Sequence, residues 1–217
     1  MSFVYDALGE YEPELASELH QHEHAPPFAF SEFIQTGPYQ ATDDGLNCER
    51  GYWVVNSDDK RILDAIANHA RHHELKLGHT EVPIDGVELE AIEGVEEAKY
   101  RTMSPVYVSK RNKDGDREGL LPKDGMWFNN LIDGVRRRKE AITGDPPNEF
   151  VIEDVDWWKQ KRLRVADSGW VQCSRLGLEI RTDKETSAFI QRQGLGERSG
   201  LGFGCVMPVE HIPAEWR

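Results

Sequence analysis

The spacing of apolar residues divides the first hundred positions into short helices and strands. Apolar side chains recur at helical intervals from Phe3 to Leu19, which predicts one broken helix or two short ones. Asn56-Ser57-Asp58 is typical of a helix N-terminal cap, and the alternation of Val87 and Leu89 with polar residues favours a strand. The predicted order is helix, strand, strand, helix and strand, over residues 3–20, 28–34, 51–55, 59–73 and 82–98.

The second half of the chain shows a complete set of alternating elements. Lys113-Asp114-Gly115-Asp116 is a polar turn typical of a β-hairpin, and Met126, Leu131 and Val135 lie near helical spacing. The predicted order is strand, helix, strand, strand, helix and strand, over residues 103–108, 123–141, 150–157, 170–180, 183–193 and 203–209. This is the ferredoxin-like order, in which two helices cover one face of an antiparallel sheet.

Together the two halves predict an α+β protein of two tandem ferredoxin-like domains, over residues 1–99 and 100–217. The first domain has the order of the second without its opening strand. A central strand missing from a sheet would expose hydrogen-bonding groups on both of its neighbours. We therefore expect either an incomplete first sheet or an upstream segment of roughly 25 residues that supplies the strand.

Net charge restricts what the protein can bind. The chain has 39 Asp and Glu residues against 26 Lys and Arg, a formal net charge of −13, which argues against nonspecific attraction of phosphates. A halophilic source would account for this composition, because about molar salt shortens the Debye length to roughly 3 Å and makes local basic clusters decisive. The three cysteines are far apart and favour a reducing cytoplasm. No apolar run of about 18 residues predicts a membrane span.

The segment from Gly194 to Gly204 has five glycines in eleven residues. It follows a predicted helix and precedes a predicted strand, the reverse of the order in dinucleotide-binding folds, and no Gly-Lys-Ser/Thr follows as in a P-loop. Such dense glycine lets the backbone approach another backbone closely and can turn N–H groups outward, and Arg198 adds a charge that could hold a phosphate. A flexible surface hairpin is the alternative.

Several motifs together resemble one family. The G-x-G-x-x-x-x-x-G-x-G pattern within 194–204 is similar to the signature loop of the RAMP superfamily of CRISPR-associated RNA-binding proteins. Thr102-Met103-Ser104-Pro105-Val106 is similar to the T-x-S-P-I segment that opens the second domain of the repeat-processing endoribonucleases in that superfamily, and 122–139 is similar to their next helix. Phe28-Ala29-Phe30-Ser31 resembles their F-T-x-S strand. The similarity spans nearly the whole chain.

The resemblance implies an endoribonuclease that cuts CRISPR precursor RNA within its repeats, without a metal or other cofactor. In that chemistry a base deprotonates the ribose 2'-OH, which attacks the adjacent phosphate and leaves a 2',3'-cyclic phosphate and a 5'-OH. The family's tyrosine on the first helix matches Tyr5, and the histidine closing the second helix matches His20. Histidine is suited to proton transfer near neutrality.

One catalytic group of the family is missing from this sequence. Its lysine would fall near Pro26, but no Lys or Arg lies between residues 1 and 47. The charge that stabilises the phosphate must come from elsewhere, with Arg198, Ser104 or a second histidine as candidates. This absence favours an alternative, a noncatalytic RAMP subunit that holds guide RNA in a CRISPR effector complex with other subunits.

Further basic residues and histidines give weaker signals. Lys161, Arg162 and Arg164 follow two tryptophans on a predicted hairpin and suit RNA backbone binding, whereas the basic run at 136–139 could equally be a solvated helix face. His20, His22 and His24 lack a fourth ligand for zinc, and His69, His72 and His73 favour a structural role, so we expect no metal site. The predicted RNA-binding residues are Gly194, Gly196, Arg198, Ser199, Gly200, Gly202, Gly204, Lys161, Arg162 and Arg164.

Overall fold

Helices and antiparallel strands together form an α+β fold. The computed structural model describes residues 2–21, 26–42, 45–77, 80–165 and 169–216. Within them, helices α1 to α5 cover Ser2–Tyr11, Pro13–Gln21, Lys60–Ala70, Trp127–Thr143 and Lys184–Gln193. Strands β1 to β12 cover Phe28–Phe30, Ile34–Thr42, Gly45–Tyr52, Val55–Ser57, Leu75–Leu77, Thr80–Val82, Glu97–Thr102, Val108–Arg111, Arg117–Leu120, Phe150–Val165, Gly169–Thr182 and Val206–Pro208. No helix in these ranges is long and apolar enough to cross a membrane.

The second half forms a four-stranded antiparallel sheet in the order β10-β11-β7-β12. With α4 between β7 and β10 and α5 between β11 and β12, this is the ferredoxin-like topology. Alternate residues of β11 (Leu176, Leu178 and Ile180) are buried against Trp127 and Leu131 of α4, so the helices cover one face of the sheet. The predicted fold of this half is confirmed.

The first half packs three helices beside a short sheet. In the described residues that sheet consists of β1 and β4, which pair antiparallel. Asp59 caps α3 by accepting a hydrogen bond from the backbone N–H of Arg61, close to the predicted start. Val4 and Leu8 of α1 and Ile62 of α3 are fully buried together, which fixes α1 across α3. This unit is the smaller ferredoxin-like half, and the predicted fold class is confirmed.

Two predicted strands are wrong, and one hairpin was not predicted. The segment 83–95 has no strand, and its alternating Val87 and Leu89 are 41% and 65% exposed, so no sheet covers them. The predicted strand over 103–108 is an irregular segment between β7 and β8 with isolated bridges from Val106 to Ser174 and from Tyr107 to Glu197, and Pro105 has no N–H to donate to a ladder. The hairpin of β2 and β3 was not predicted, and the predicted strand over 51–55 covers only the last two residues of β3 and the first of β4.

The segment that connects the two halves is held along α5. The backbone N–H of Val95 donates to Ser187 at 2.8 Å, and Gln191 donates to the carbonyl of Glu93 at 3.1 Å. Gly94 lies close to the backbone at the start of α5, where an added Cβ would be 1.8 Å from the carbonyl oxygen of Lys184. We call residues 92–95 the strap. The predicted domain boundary after residue 99 stays a prediction, and it falls inside β7.

Polar contacts of the last turn of α5 also join the halves. The side-chain amide of Asn56 donates to the carbonyl of Gln191 at 2.9 Å, and Arg192 pairs with Asp58 at 3.0 Å. Both partners in the first half belong to β4 or to the residue that follows it. This seam sets the position of the first helices relative to the glycine-rich segment that follows α5.

Candidate active site

Tyr5 lies on α1 and His20 lies on α2, and one residue separates the two helices. The helices meet at Glu12, where Pro13 occupies the first position of α2 and needs no hydrogen-bond acceptor for its nitrogen. Leu8 and Leu15 are buried on the facing sides of the two helices. This packing places the middle of α1 beside the end of α2, so residues fifteen apart in sequence become neighbours.

The rings of Tyr5 and His20 are stacked, with centroids 4.5 Å apart and planes at 24°. Tyr5 is half-buried and its ring also contacts the edge of the buried Phe28 at 6.1 Å, whereas His20 is exposed. Burial raises the pKa of the Tyr5 hydroxyl, so the phenol keeps its proton at neutral pH and can act as a hydrogen-bond donor. An exposed imidazole is a group suited to proton transfer, and the neutral phenol beside it can orient a polar group.

His22 and His24 lie outside the described residues. Ser104, a candidate for charge stabilisation, is fully buried and its hydroxyl accepts a hydrogen bond from the N–H of Cys205 at 3.0 Å. That geometry favours a structural role for Ser104.

The glycine-rich segment, residues 194–204, is a packed loop. Gly196 and Gly204 have φ of 76° and 77°, and a Cβ at these positions would lie 2.5 Å from the carbonyl oxygen of Tyr107 and 1.9 Å from that of Leu195. Two further glycines contact the first half, since a Cβ at Gly200 would meet Pro26 at 2.1 Å and one at Gly202 would meet Phe30 at 2.7 Å. We call this segment the glycine loop.

Several N–H groups of the glycine loop bond within the protein instead of facing outward. Leu195 donates to the carbonyl of Gly204 at 2.7 Å, Glu197 to that of Tyr107 at 2.8 Å, and Gly204 to that of Pro105 at 2.8 Å. Ser199, also in the predicted RNA-binding set, is fully buried. The glycines therefore serve close packing first, and the cationic side chain of Arg198 becomes the stronger candidate for a ligand contact.

Arg198 is held at the turn of the glycine loop in a left-handed conformation, with φ of 63°. Its guanidinium lies over the ring of the buried Tyr107, 4.9 Å from the centroid, which orients it by a cation–π contact. The Nη1 atom of Arg198 and the hydroxyl of Ser199 are buried without a hydrogen-bond partner among the described residues.

A second arginine, Arg138 of α4, anchors the glycine loop by hydrogen bonds to its backbone. Its guanidinium donates to the carbonyls of Gly194 and, at 3.2 Å, Gly196, and it lies 5.7 Å from the ring centre of Phe189. Burial lowers the pKa of Arg138 to about 10, so the group remains charged at neutral pH. The basic run at 136–139 is therefore partly structural, a role that sequence alone left open.

Replacing Arg138 by methionine should destabilise the protein by about 2–3 kcal/mol, since it leaves two buried carbonyls without donors. Arg136→Met, two residues away on the same helix and exposed, should change stability by no more than about 0.5 kcal/mol. Urea unfolding of both variants provides the comparison. Equal effects would contradict the anchoring role.

The basic residues of the β10–β11 hairpin are divided between its two faces. Lys161 lies opposite the buried Cys173 in the register of the two strands. Arg162 and Arg164 point to the other face of β10 and are exposed. Since β7 pairs with β11 only over 177–181, this part of the hairpin extends beyond the four-stranded sheet. Lys161 and the two arginines therefore do not form one row, and RNA lying on one face would contact only one set.

Comparison with known proteins identifies the family. Residues 88–208 match the family described as CRISPR associated protein Cas6, C-terminal. CRISPR-associated endoribonuclease Cas6 1 of Methanocaldococcus jannaschii is 23% identical, over 96% of this chain and 84% of its own length. An endoribonuclease-like protein, Cas6nc, of Pyrococcus horikoshii is 26% identical, over 72% of this chain and 67% of its own length.

Solved structures show the same fold. A Cas6-related protein of Pyrococcus furiosus superposes with a TM-score of 0.84 at 24% identity, over 97% of this chain and 89% of that one. A RAMP protein described as binding different RNA substrates superposes with a TM-score of 0.82 at 24% identity, over 96% of this chain and 89% of that one. The family match covers more than half of the 217 residues and begins upstream of β7. The chain therefore belongs to the Cas6 family of CRISPR-associated proteins.

Proposed function

We propose that this protein is an endoribonuclease that cuts CRISPR precursor RNA within its repeats to release guide RNAs. The observation that carries the proposal is the contact between Tyr5 and His20, at 4.5 Å between ring centres. Both residues match the family's catalytic positions in sequence, and they lie side by side although they belong to different helices. Named relatives in the family are endoribonucleases, which supports the same activity here.

In the proposed reaction His20 takes the proton from the ribose 2'-OH or returns one to the 5' oxygen that leaves. The phenol of Tyr5 stacks on the imidazole, and its hydroxyl donates a hydrogen bond that orients the phosphate. The 2' oxygen bonds to phosphorus as the bond to the 5' oxygen breaks, which leaves a 2',3'-cyclic phosphate and a 5'-OH. General acid–base catalysis of this kind contributes about 10²–10⁴-fold.

Arg198 is the best-supported replacement for the family's lysine. The lysine's position falls near Pro26, and Gly200, two residues after Arg198, packs against the side chain of Pro26. Arg198 therefore belongs to a loop that packs against Pro26, and its guanidinium lies over the ring of Tyr107, which supports it as the source of this charge. A preorganised donor of this kind can stabilise the charge that develops on phosphate.

The test is incubation of the protein with the CRISPR repeat RNA of its host in the presence of EDTA. A discrete cut that leaves a 2',3'-cyclic phosphate and a 5'-OH supports the proposal. Tight binding without a cut supports the second candidate, a noncatalytic subunit that holds guide RNA in an effector complex. That candidate is favoured by the lack of Lys and Arg before residue 48 and by the endoribonuclease-like relative named Cas6nc.

A further inference from the structure

Glu10, His69 and His73 converge on the side of the first half where α1 and α3 end. Glu10 is the penultimate residue of α1, and His69 lies in the last turn of α3. The backbone N–H of His73 donates to the carbonyl of His69 at 3.0 Å, so the chain keeps a helical turn beyond the end of α3. Two histidines four residues apart are thereby placed on one side, facing a carboxylate from another helix.

The donor atoms of these three side chains are close enough to share one ion. The Nδ1 atom of His69 lies 2.8 Å and the Nε2 atom of His73 lies 3.1 Å from the same carboxylate oxygen of Glu10. All three donor atoms lie within 4.8 Å of one another. A tetrahedral zinc ion with bonds of about 2.0–2.1 Å needs donors roughly 3.3 Å apart. Small rotations of the rings and the carboxylate would therefore open the required space.

The surroundings hold one ligand firmly and leave the others accessible. The side chain of His69 is only 8% exposed, and its ring contacts the ring of Phe3 at 4.8 Å. The side chains of Glu10 and His73 are 45% and 46% exposed, so an ion can enter from solvent and keep water as a fourth ligand. Both imidazoles face the same carboxylate oxygen of Glu10.

We propose that Glu10, His69 and His73 form a binding site for a divalent transition-metal ion of the zinc class. Two imidazoles and one carboxylate suit zinc, cobalt or nickel and do not suit magnesium or calcium, which prefer oxygen ligands alone. The ion ties the end of α1 to the end of α3 and so steadies the helix that holds Tyr5. It takes no part in RNA cleavage, and the proposal does not depend on the activity proposed above.

The test is metal titration of the full-length, metal-free protein. Zinc should bind with a stoichiometry of one and raise the melting temperature by several degrees, because a ligand that binds only the folded state stabilises it. Cobalt should give the visible absorption of a tetrahedral site. His73→Ala and Glu10→Gln should weaken zinc binding about ten-fold or more and abolish most of the thermal shift.

Two controls identify the site. His72→Ala removes the exposed neighbour of His73 and should leave zinc binding unchanged. Simultaneous replacement of His20, His22 and His24 by alanine should also leave it unchanged. The proposal is overturned if zinc does not shift the melting temperature of the unmodified protein. It is also overturned if the shift survives in His73→Ala or is lost in the triple variant.

Discussion

Replacing His20 by alanine should reduce cleavage of repeat RNA by about 10²-fold or more while RNA affinity and melting temperature stay nearly unchanged. The ring is exposed and its stacking contact with Tyr5 is at the surface, so the change removes a proton-transfer group and little buried area. Single-turnover cleavage rates, measured beside binding and thermal melts, separate the three quantities.

His22→Ala is the matched control, since it removes an imidazole two residues away and should have a much smaller effect on the rate. His24→Ala should behave in the same way. Wild-type cleavage by His20→Ala would mean that the assignment is wrong, and His22 or His24 would then become the leading candidate for the proton-transfer group.

Replacing Gly204 by alanine should destabilise the protein by about 3 kcal/mol or more. The backbone there has a φ of 77°, and the new Cβ would lie 1.9 Å from the carbonyl oxygen of Leu195, which is backbone and cannot move aside. Loss of the loop's geometry should weaken RNA binding as well. Chemical denaturation and a binding titration check both effects.

Gly115→Ala separates backbone strain from crowding. Gly115 has a φ of 89° in the β8–β9 turn, with nothing within 4 Å of an added Cβ, so its replacement should cost only about 1–2 kcal/mol and leave RNA binding intact. Similar losses in the two variants would show that the glycine loop is not closely packed in solution.

The sequence predicts the C-terminal fold well because its signals are local and independent. Helical spacing and the hairpin turn around Gly115 each act within about ten residues. The order of elements that they predict agrees with the order in the structure. The strand predicted over 82–98 failed because alternation cannot distinguish a strand from an extended segment bound along a helix. Val87 and Leu89 alternate but are exposed, and the contacts at the end of this stretch, at Glu93 and Val95, are made with Gln191 and Ser187, about a hundred residues later.

The candidate site shows the same division between local and long-range information. Tyr5 and His20 could be identified from short motifs, and the structure adds that their rings touch. The role of Arg138 could not be predicted, because a charged residue in a basic run usually faces solvent and its burial depends on where the glycine loop packs. The grouping of Glu10 with His69 joins positions 59 residues apart, and no local pattern signals it.

The strap has a practical consequence for anyone who divides the protein into parts. A C-terminal fragment that begins at residue 100 would lose residues 97–99, and with them three of the five pairings between β7 and β11. It would also strip the strap from α5 and expose the polar groups of Ser187 and Gln191. A fragment that begins near residue 88, where the family match starts, would keep both features. The unit suited to expression as a separate piece is therefore longer than its sheet.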